Sequence, residues 1–207
     1  MHGNVNKDLT LQHIDVDTVT KIPVDRMPNL KTIYLVGNFG DPLMHPKIEN
    51  ILDHFVNQKV VISTNASLRD EKWWEKLANR KNLEVIFAID GLEDTHHLYR
   101  RETDYKKIMR NAKRFITSGG TATWQYIVFK HNEHQIEEAK KLSQEMGFKE
   151  IDFMYTDRFE LENTFKVHDK GKYLYDLEKA TEQKTLRDKL GSPEGQKQWK
   201  TLKEGYT

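Results

Sequence analysis

The chain of 207 residues contains no cysteine. This absence excludes disulfides, thiolate nucleophiles, and zinc or iron–sulfur sites whose ligands would be cysteines of this chain. Long apolar runs are also lacking, since no stretch approaches the roughly 20 residues of a membrane span. The polar N-terminal stretch lacks the apolar middle of a signal peptide. We therefore expect a cytoplasmic protein without a membrane segment.

An excess of charge of one sign is missing as well. The 33 lysines and arginines almost balance the 32 aspartates and glutamates, and the formal net charge is +1. This balance gives no electrostatic reason to expect binding to nucleic acid or to an anionic membrane. Hydrophobic residues make up 37% of the chain, including 9 Phe, 8 Tyr and 4 Trp. A sizeable core is therefore possible, in one large domain or in a domain with an appendage.

Strand and helix patterns alternate along most of the chain. Short β-rich runs predict five strands, at residues 31–36, 59–64, 83–90, 122–129 and 150–155. Runs with helical periodicity predict four intervening helices, at residues 45–58, 67–80, 103–120 and 132–147, and a short helix at 15–24 precedes the first strand. Such alternation is typical of βα units and predicts an α/β fold with a parallel sheet.

The alternation ends near residue 157, and the rest of the chain is charged and weakly periodic. We therefore divide the chain into a core at residues 1–157 and a charged, partly helical extension at residues 158–207. The extension contains one good helix start, "SPEGQKQW". We expect it to pack loosely on the core or to be partly disordered.

Polar residues follow the strands, at the edge of a parallel sheet where ligands bind. The loop "GNFGDP" after the first strand contains Gly40 and Asp41. Its glycines let the backbone approach a ligand, and its carbonyls and carboxylate can accept hydrogen bonds from an ammonium group. The later strands end at Asn65, at Asp90 and Gly91, and at Lys130 and Asn132. A zwitterionic ligand with a sugar would suit these donors and acceptors.

Each of these signals also has a purely structural interpretation. Gly40-Asp41-Pro42 and Asp90-Gly91 can be ordinary turns, and Asn65 can bond its own loop. Asp41 can also cap the helix that begins near Pro46. Two histidine pairs, at 96–97 and at 131 and 134, do not predict a metal site, because adjacent histidines on a helix point apart and His131 lies just before its helix.

Taken together, the segments "GDPLMHPKI", "ISTNASL", "FAIDGLEDTHHLYRR" and "IVFKHNEHQIEEAKKLSQEMGF" resemble the radical S-adenosylmethionine (radical SAM) superfamily, particularly its SPASM-type relatives. The resemblance covers roughly residues 10 to 158 and rests on the order, spacing and strand-end placement of the segments. It implies a partial (β/α) barrel of the radical SAM type, with about five parallel strands and outer helices.

The resemblance also implies S-adenosylmethionine (SAM) as a cofactor. Gly40, Asp41 and Pro42 match the segment that receives the methionine amino group of SAM, with Asp41 where glutamate is usual. Ala88 stands where a serine that contacts SAM is frequent, so this contact is lost. The remaining positions that match the cofactor-binding motifs of the family are Asn65, Asp90, Gly91, Lys130 and Asn132.

The largest departure from the family concerns the [4Fe–4S] cluster. The resemblance implies such a cluster, held by a CxxxCxxC motif after a first strand, and an electron from it that cleaves SAM to a 5′-deoxyadenosyl radical. Both the motif and that strand are missing. A single truncation, from a fragmentary gene, an alternative start or a shortened expression product, would explain both absences. This chain alone is then expected to be inactive.

Other classes of function stay open at this stage. The chain can be a SAM-binding pseudoenzyme without a cluster, or a regulatory or interaction protein. A barrel-type metal hydrolase or aldolase would need a carboxylate and histidine cluster or a lysine at a strand end, and Lys130 is the only such lysine. The substrate, a peptide or a small molecule, and the catalytic residues cannot be read from the sequence.

Overall fold

The computed structural model describes residues 12–37, 40–156, 159 and 164–183 of the chain. Five strands form one sheet in the order β1-β2-β3-β4-β5, and every neighbouring pair is parallel. The strands are β1 Thr32–Leu35, β2 Lys59–Thr64, β3 Leu83–Ala88, β4 Thr121–Ile127 and β5 Glu150–Met154. Each lies within one residue of its predicted start, so the predicted α/β fold, an open partial barrel of five parallel strands, is confirmed.

The predicted helices are present but shorter than their periodic patterns. They are α1 Val16–Thr20, α2 Ile48–His54, α3 Glu71–Leu77, α4 His96–Tyr99, α5 Tyr105–Thr117 and α6 Ile136–Met146. The short α4 was not predicted. Single 3₁₀ turns lie at Val24–Arg26, Pro42–Met44 and Glu133–Gln135, and the last of them replaces the start of the helix predicted at 132–147.

Local capping explains where some helices begin. Asp70 caps α3 by accepting a hydrogen bond from the Trp73 N–H at 2.9 Å. The side chain of Asn132 makes no capping bond, and Gln135 is the N-cap residue of α6. Asn132 instead holds the preceding loop.

The helices cover one face of the sheet. Alternate strand residues such as Val85, Phe87 and Trp124 are fully buried in one core cluster. Trp74 and Phe115 pack on these strands from α3 and α5, with the rings of Trp74 and Phe87 5.3 Å apart. The opposite face of the sheet is concave and carries no helix among the described residues.

The first strand forms an exposed edge within the described part of the chain. Tyr34 of β1 is 65% exposed and Val36, just after the strand, is 60% exposed. The inner side of β1 is therefore open to solvent, whereas Ile33 and Leu35 pack on the helices.

The C-terminal extension contains an antiparallel hairpin that the sequence did not predict. Its strands are β6 Thr164–Asp169 and β7 Lys172–Glu178. Val167 and Leu177 are buried with Phe129 and Phe159 in a second, smaller core cluster. The helix start at residue 192 lies outside the described residues, and the division at residue 157 stays a prediction.

Candidate functional site

The polar residues that follow the strands meet at the carboxyl edge of the sheet, in two groups. The first joins the loops after β1 and β2 through Asp41 and Asn65. The second joins the loops after β3 and β4 through Asp90 and Asn132. Because the strands are parallel and neighbouring, both groups line the same edge.

Asp41 links the first two loops. Its Oδ1 accepts the Leu43 N–H at 2.9 Å and so caps the 3₁₀ turn that begins at Pro42. Its Oδ2 accepts the Thr64 hydroxyl at 2.7 Å and the Asn65 N–H at 2.9 Å. The carboxylate is half-buried and makes three hydrogen bonds, which leaves acceptor capacity for one further donor.

The segment before Asp41 turns tightly. A side chain at Gly37 would overlap the carbonyl of Gly40, so the turn requires glycine at position 37. Gly40 itself is exposed, and its conformation does not require glycine. Pro42 occupies the first turn of the 3₁₀ helix. Residues 38 and 39 of this loop lie outside the described residues.

Asn65 belongs to the second loop. Its Oδ1 accepts the Ser67 N–H at 3.0 Å, which is the local bond that the structural interpretation predicts. Its side-chain amide N–H groups have no protein partner among the described residues. The next residue, Ala66, is buried in a left-handed conformation with φ +55°, and Asn111 donates to its carbonyl at 2.8 Å. The loop is therefore held rigidly, with the Asn65 amide as its free donor.

Two buried polar atoms of the same loop have no hydrogen-bond partner in the described part of the chain. They are the Ser67 hydroxyl oxygen and Arg69 Nε. Arg69 is otherwise engaged, since its Nη2 donates to the His45 carbonyl at 2.8 Å and its guanidinium lies over the Trp73 ring. Unsatisfied buried polar atoms cost free energy, so they indicate a place for a polar ligand or water.

Asp90 is completely buried and fully engaged. Its Oδ1 accepts the Ile127 N–H and its Oδ2 accepts Arg100 Nε, both at 2.6 Å. Burial works against the charged form of Arg100, but the Asp90 carboxylate outweighs it and holds the pKa of Arg100 above its ordinary value. Asp41 adds a smaller contribution in the same direction.

His96 makes a hydrogen bond with the backbone of Asp90. Its Nδ1 accepts the Asp90 N–H at 3.2 Å, so Nε2 carries the proton and donates to the Thr103 hydroxyl at 3.2 Å. Burial, assisted by the positive charge of Arg100, lowers the pKa of His96 to about 3. The imidazole is therefore neutral in the folded protein at ordinary pH.

The remaining predicted residues serve the loops. Gly91 has φ +127°, and an added Cβ would lie 2.8 Å from the backbone nitrogen of His96, so glycine is required there. Asn132 is buried, accepts the Phe129 N–H at 2.7 Å and donates to the Ile127 carbonyl at 3.0 Å. Lys130 is exposed, and its N–H donates to the Glu178 carbonyl of the hairpin. Gly91 and Asn132 thus shape the edge, whereas Lys130 is tied to the hairpin only through its backbone.

Sequence reasoning missed three parts of this edge. They are Thr64, Arg69 and Arg100, whose partners lie in other segments of the chain. The neighbouring Arg101 points away and donates to the His168 carbonyl of β6 at 3.0 Å. No local signal separates two adjacent arginines, because their partners lie 10 and 67 residues away in the chain.

An open parallel sheet with polar loops along its carboxyl edge defines a class of ligand-binding α/β half-barrels. The family model of the radical SAM superfamily matches residues 16–143, more than half of the chain. The chain therefore belongs to the radical SAM superfamily. No curated protein sequence matches it.

Solved structures share the fold. Streptococcus suis SuiB bound to S-adenosylmethionine is 20% identical with a TM-score of 0.54, and the match covers 60% of this chain and 29% of SuiB. Another SuiB structure gives 19% identity and a TM-score of 0.56, covering 84% and 37%. The anSMEcpe protein with bound AdoMet and Cp18Cys peptide gives 21% and 0.53, covering 76% and 45%. The chain thus spans less than half the length of these proteins, and likeness at this identity establishes the fold alone.

The two cofactors of the family fit these residues differently. A [4Fe–4S] cluster does not fit the donor set, because the chain has no cysteine and the described residues contain no group of three or more potential metal ligands. The methionine end of SAM fits better, since Asp41, the Asn65 amide and the unpartnered atoms of the β2–α3 loop offer both acceptors and donors. No helix among the described residues is long and apolar enough to cross a membrane.

Proposed function

We propose that this chain forms the SAM-binding side of a radical SAM barrel, with SAM at the carboxyl edge of the sheet. The observation that carries the proposal is the link from Asp41 to Thr64 and to the Asn65 N–H, which brings two sequence-predicted SAM residues together at that edge. Membership of the radical SAM superfamily supports SAM-dependent radical chemistry in general. Beyond that general chemistry, we propose that Asp41 accepts a hydrogen bond from the methionine amino group of SAM.

The chemistry of the edge supports this assignment. The ammonium of SAM carries three donors, and Asp41 keeps acceptor capacity beyond its three protein bonds. One charge-assisted bond in a sheltered site contributes about 1.5–3 kcal/mol. Asp41 alone therefore gives weak binding, and the Asn65 amide with the Ser67 hydroxyl would have to add to it. Asp90 holds Arg100 and the loop, and in this proposal it positions the edge without touching the ligand.

Calorimetric titration of SAM tests the proposal in two forms of the protein. The first is the 207-residue chain, and the second carries an added upstream strand and CxxxCxxC loop. We expect Asp41→Ala to weaken SAM binding about tenfold in both. Thr64→Val is the matched control, because it removes a bond to Asp41 but keeps the carboxylate. Equal SAM affinity of Asp41→Ala and the unaltered protein would show that Asp41 only organises the turn.

A second candidate is a SAM-binding protein that uses no cluster of its own, as a pseudoenzyme or a regulatory protein. The lack of cysteine favours it. We predict that anaerobic reconstitution of the 207-residue chain with iron and sulfide gives no cluster absorbance and, with SAM and dithionite, no 5′-deoxyadenosine above a protein-free control. Radical cleavage by the chain would then need thiolates from outside these 207 residues. Formation of 5′-deoxyadenosine by this chain alone would contradict this.

The substrate of the proposed enzyme is a peptide or a small molecule. Two of the similar structures contain a peptide, the precursor peptide SuiA in SuiB and a Cp18Cys peptide in anSMEcpe. A peptide is therefore a reasonable first substrate to test for this chain.

A further inference from the structure

The concave face of the sheet, which the helices leave uncovered, carries its side chains in register rows. Parallel pairing places Ser63, Ile86, Thr123 and Glu150 in one row across β2 to β5. The next row toward the carboxyl edge contains Ala88, Gln125 and Asp152. Ile127 and Met154 follow, level with Asp90.

The charges toward the amino end of this face are paired within the chain. Glu84 binds Lys59 at 2.6 Å, and its other oxygen lies 3.5 Å from Lys149. Glu150 lies 3.7 Å from Lys149 and accepts the Thr123 hydroxyl at 3.4 Å. These residues form a closed network, so they offer little to a ligand.

The row of Gln125 and Asp152 differs. The two side chains are direct neighbours across β4 and β5, and neither makes a hydrogen bond or ion pair with any residue of the described part of the chain. Asp152 is exposed, Gln125 is half-buried, and Met154 beside Asp152 is 39% exposed. An unpaired carboxylate, a free amide and an apolar surface thus lie together on β4 and β5, one row before Ile127 and Met154.

We propose that this pair binds an ammonium group on an alkyl chain, as part of the substrate site. The Asp152 carboxylate would accept a charge-assisted hydrogen bond and the Gln125 carbonyl oxygen a second one, while Met154 and Ile127 contact the alkyl chain. The inference rests on the proposed function, because that function makes the concave face the substrate side of the barrel. The ammonium can belong to a lysine side chain of a peptide or to a free amine.

Titration of two probes into the ¹⁵N-labelled chain, followed by NMR, tests the pair. Nα-acetyl-L-lysine methylamide represents a peptide, and putrescine represents a free diamine. We expect saturable shifts of the Gln125, Asp152 and Met154 amides with at least one probe at millimolar concentrations, about 1–20 mM. Saturation by the lysine probe alone assigns a peptide, and saturation by putrescine alone assigns a free amine.

Matched variants separate this role from others. Asp152→Asn should weaken the binding about tenfold, and Asp152→Glu should retain most of it. Glu150→Gln, on the same strand and face but already paired, should change it by less than about twofold. Equal affinity of Asp152→Asn and the unaltered chain would overturn the proposal, and so would the lack of a saturable shift with either probe. Asp152 would then only guard the edge strand β5 against pairing with other chains.

A parallel SAM titration of the same samples distinguishes the two proposals. Failure of SAM to shift the amides near Asp41 and Asn65, with normal binding of the amine probe, would overturn the proposed SAM site and leave the ammonium site standing. The reverse pattern would overturn only the ammonium site.

Discussion

Asp41 and Asp90 both lie in loops that follow parallel strands, yet their surroundings differ. Asp90 is completely buried, and both of its oxygens are used within the protein, one by the ion pair with Arg100. Asp41 is half-buried, and its partners are a hydroxyl and two backbone N–H groups. No cation neutralises it among its hydrogen-bond partners.

This difference teaches how a strand-end carboxylate can be assigned. A carboxylate that is paired with a buried arginine organises its own loops, because removing either charge leaves the other unpaired in the interior. A carboxylate that caps a turn but keeps an unused acceptor site can stabilise the turn and still bind a cation. The comparison therefore supports a structural role for Asp90 and leaves Asp41 with capacity for a further donor, as the proposed SAM site requires.

The largest expected effect is on stability. Asp90→Ala leaves Arg100 buried without its partner and removes the acceptor of the Ile127 N–H. We expect the free energy of unfolding to fall by about 3–5 kcal/mol, measured by urea denaturation. Asp53→Ala is the control, because it breaks the exposed ion pair with Arg80 and should cost less than about 1 kcal/mol. Similar losses in the two variants would contradict the structural role of Asp90.

Acidification should weaken the protein through two buried histidines. Burial lowers the pKa of His96 to about 3 and, together with His134, that of His131 to about 4. In the unfolded chain both titrate near pH 6.5, so between pH 6.5 and 4 the unfolded state binds more protons and stability falls as the pH falls. Each histidine contributes up to about 1.4 kcal/mol per pH unit.

His131→Phe isolates one of the two contributions. The His131 ring stacks on Phe129, and both of its nitrogens are buried without a hydrogen-bond partner among the residues that the structure describes. Phenylalanine keeps the stacking but binds no proton, so the variant should lose less stability than the unaltered chain between pH 7.5 and pH 5. Urea denaturation at the two pH values measures this. An unchanged pH dependence would contradict the neutral, buried state of His131.

Much of the fold could be predicted because it depends on local patterns. The five strands and their helices follow from hydrophobic periodicity, which the helix-covered face of the sheet imposes on each strand. The hairpin could not be predicted in this way, because Val167 and Leu177 become buried only by packing on Phe129, which is remote in sequence.

The candidate site was predicted by position better than by role. The strand ends identified Asp41, Asn65, Asp90 and Asn132 as residues of one edge. Some of these side chains use all their hydrogen-bonding groups within the protein. Which ones do so depends on partners that the sequence does not identify, such as Arg100 for Asp90. Resemblance to the family identified the positions of these residues. Only the hydrogen bonds and ion pairs in the structure distinguish the roles of Asp41 and Asp90.

A smaller effect on stability is expected from Asp41. Asp41→Ala removes a cap and leaves the Thr64 hydroxyl and the Asn65 N–H without their acceptor, which should cost about 1–2 kcal/mol. Asp41→Asn keeps an acceptor oxygen and should cost less. Urea denaturation of both variants, beside Asp90→Ala, measures the order. A loss from Asp41→Ala as large as that from Asp90→Ala would remove the distinction between the two residues.

The central claim is that SAM binds at Asp41 while Asp90 supports the edge from within. NMR of the ¹⁵N-labelled 207-residue chain during a SAM titration tests it most directly. We predict saturable shifts of the Asp41, Asn65 and Ser67 amides, with much smaller shifts of the Ile127 and Asn132 amides that Asp90 organises. Shifts confined to the second group, or no saturable shift at either, would contradict the account.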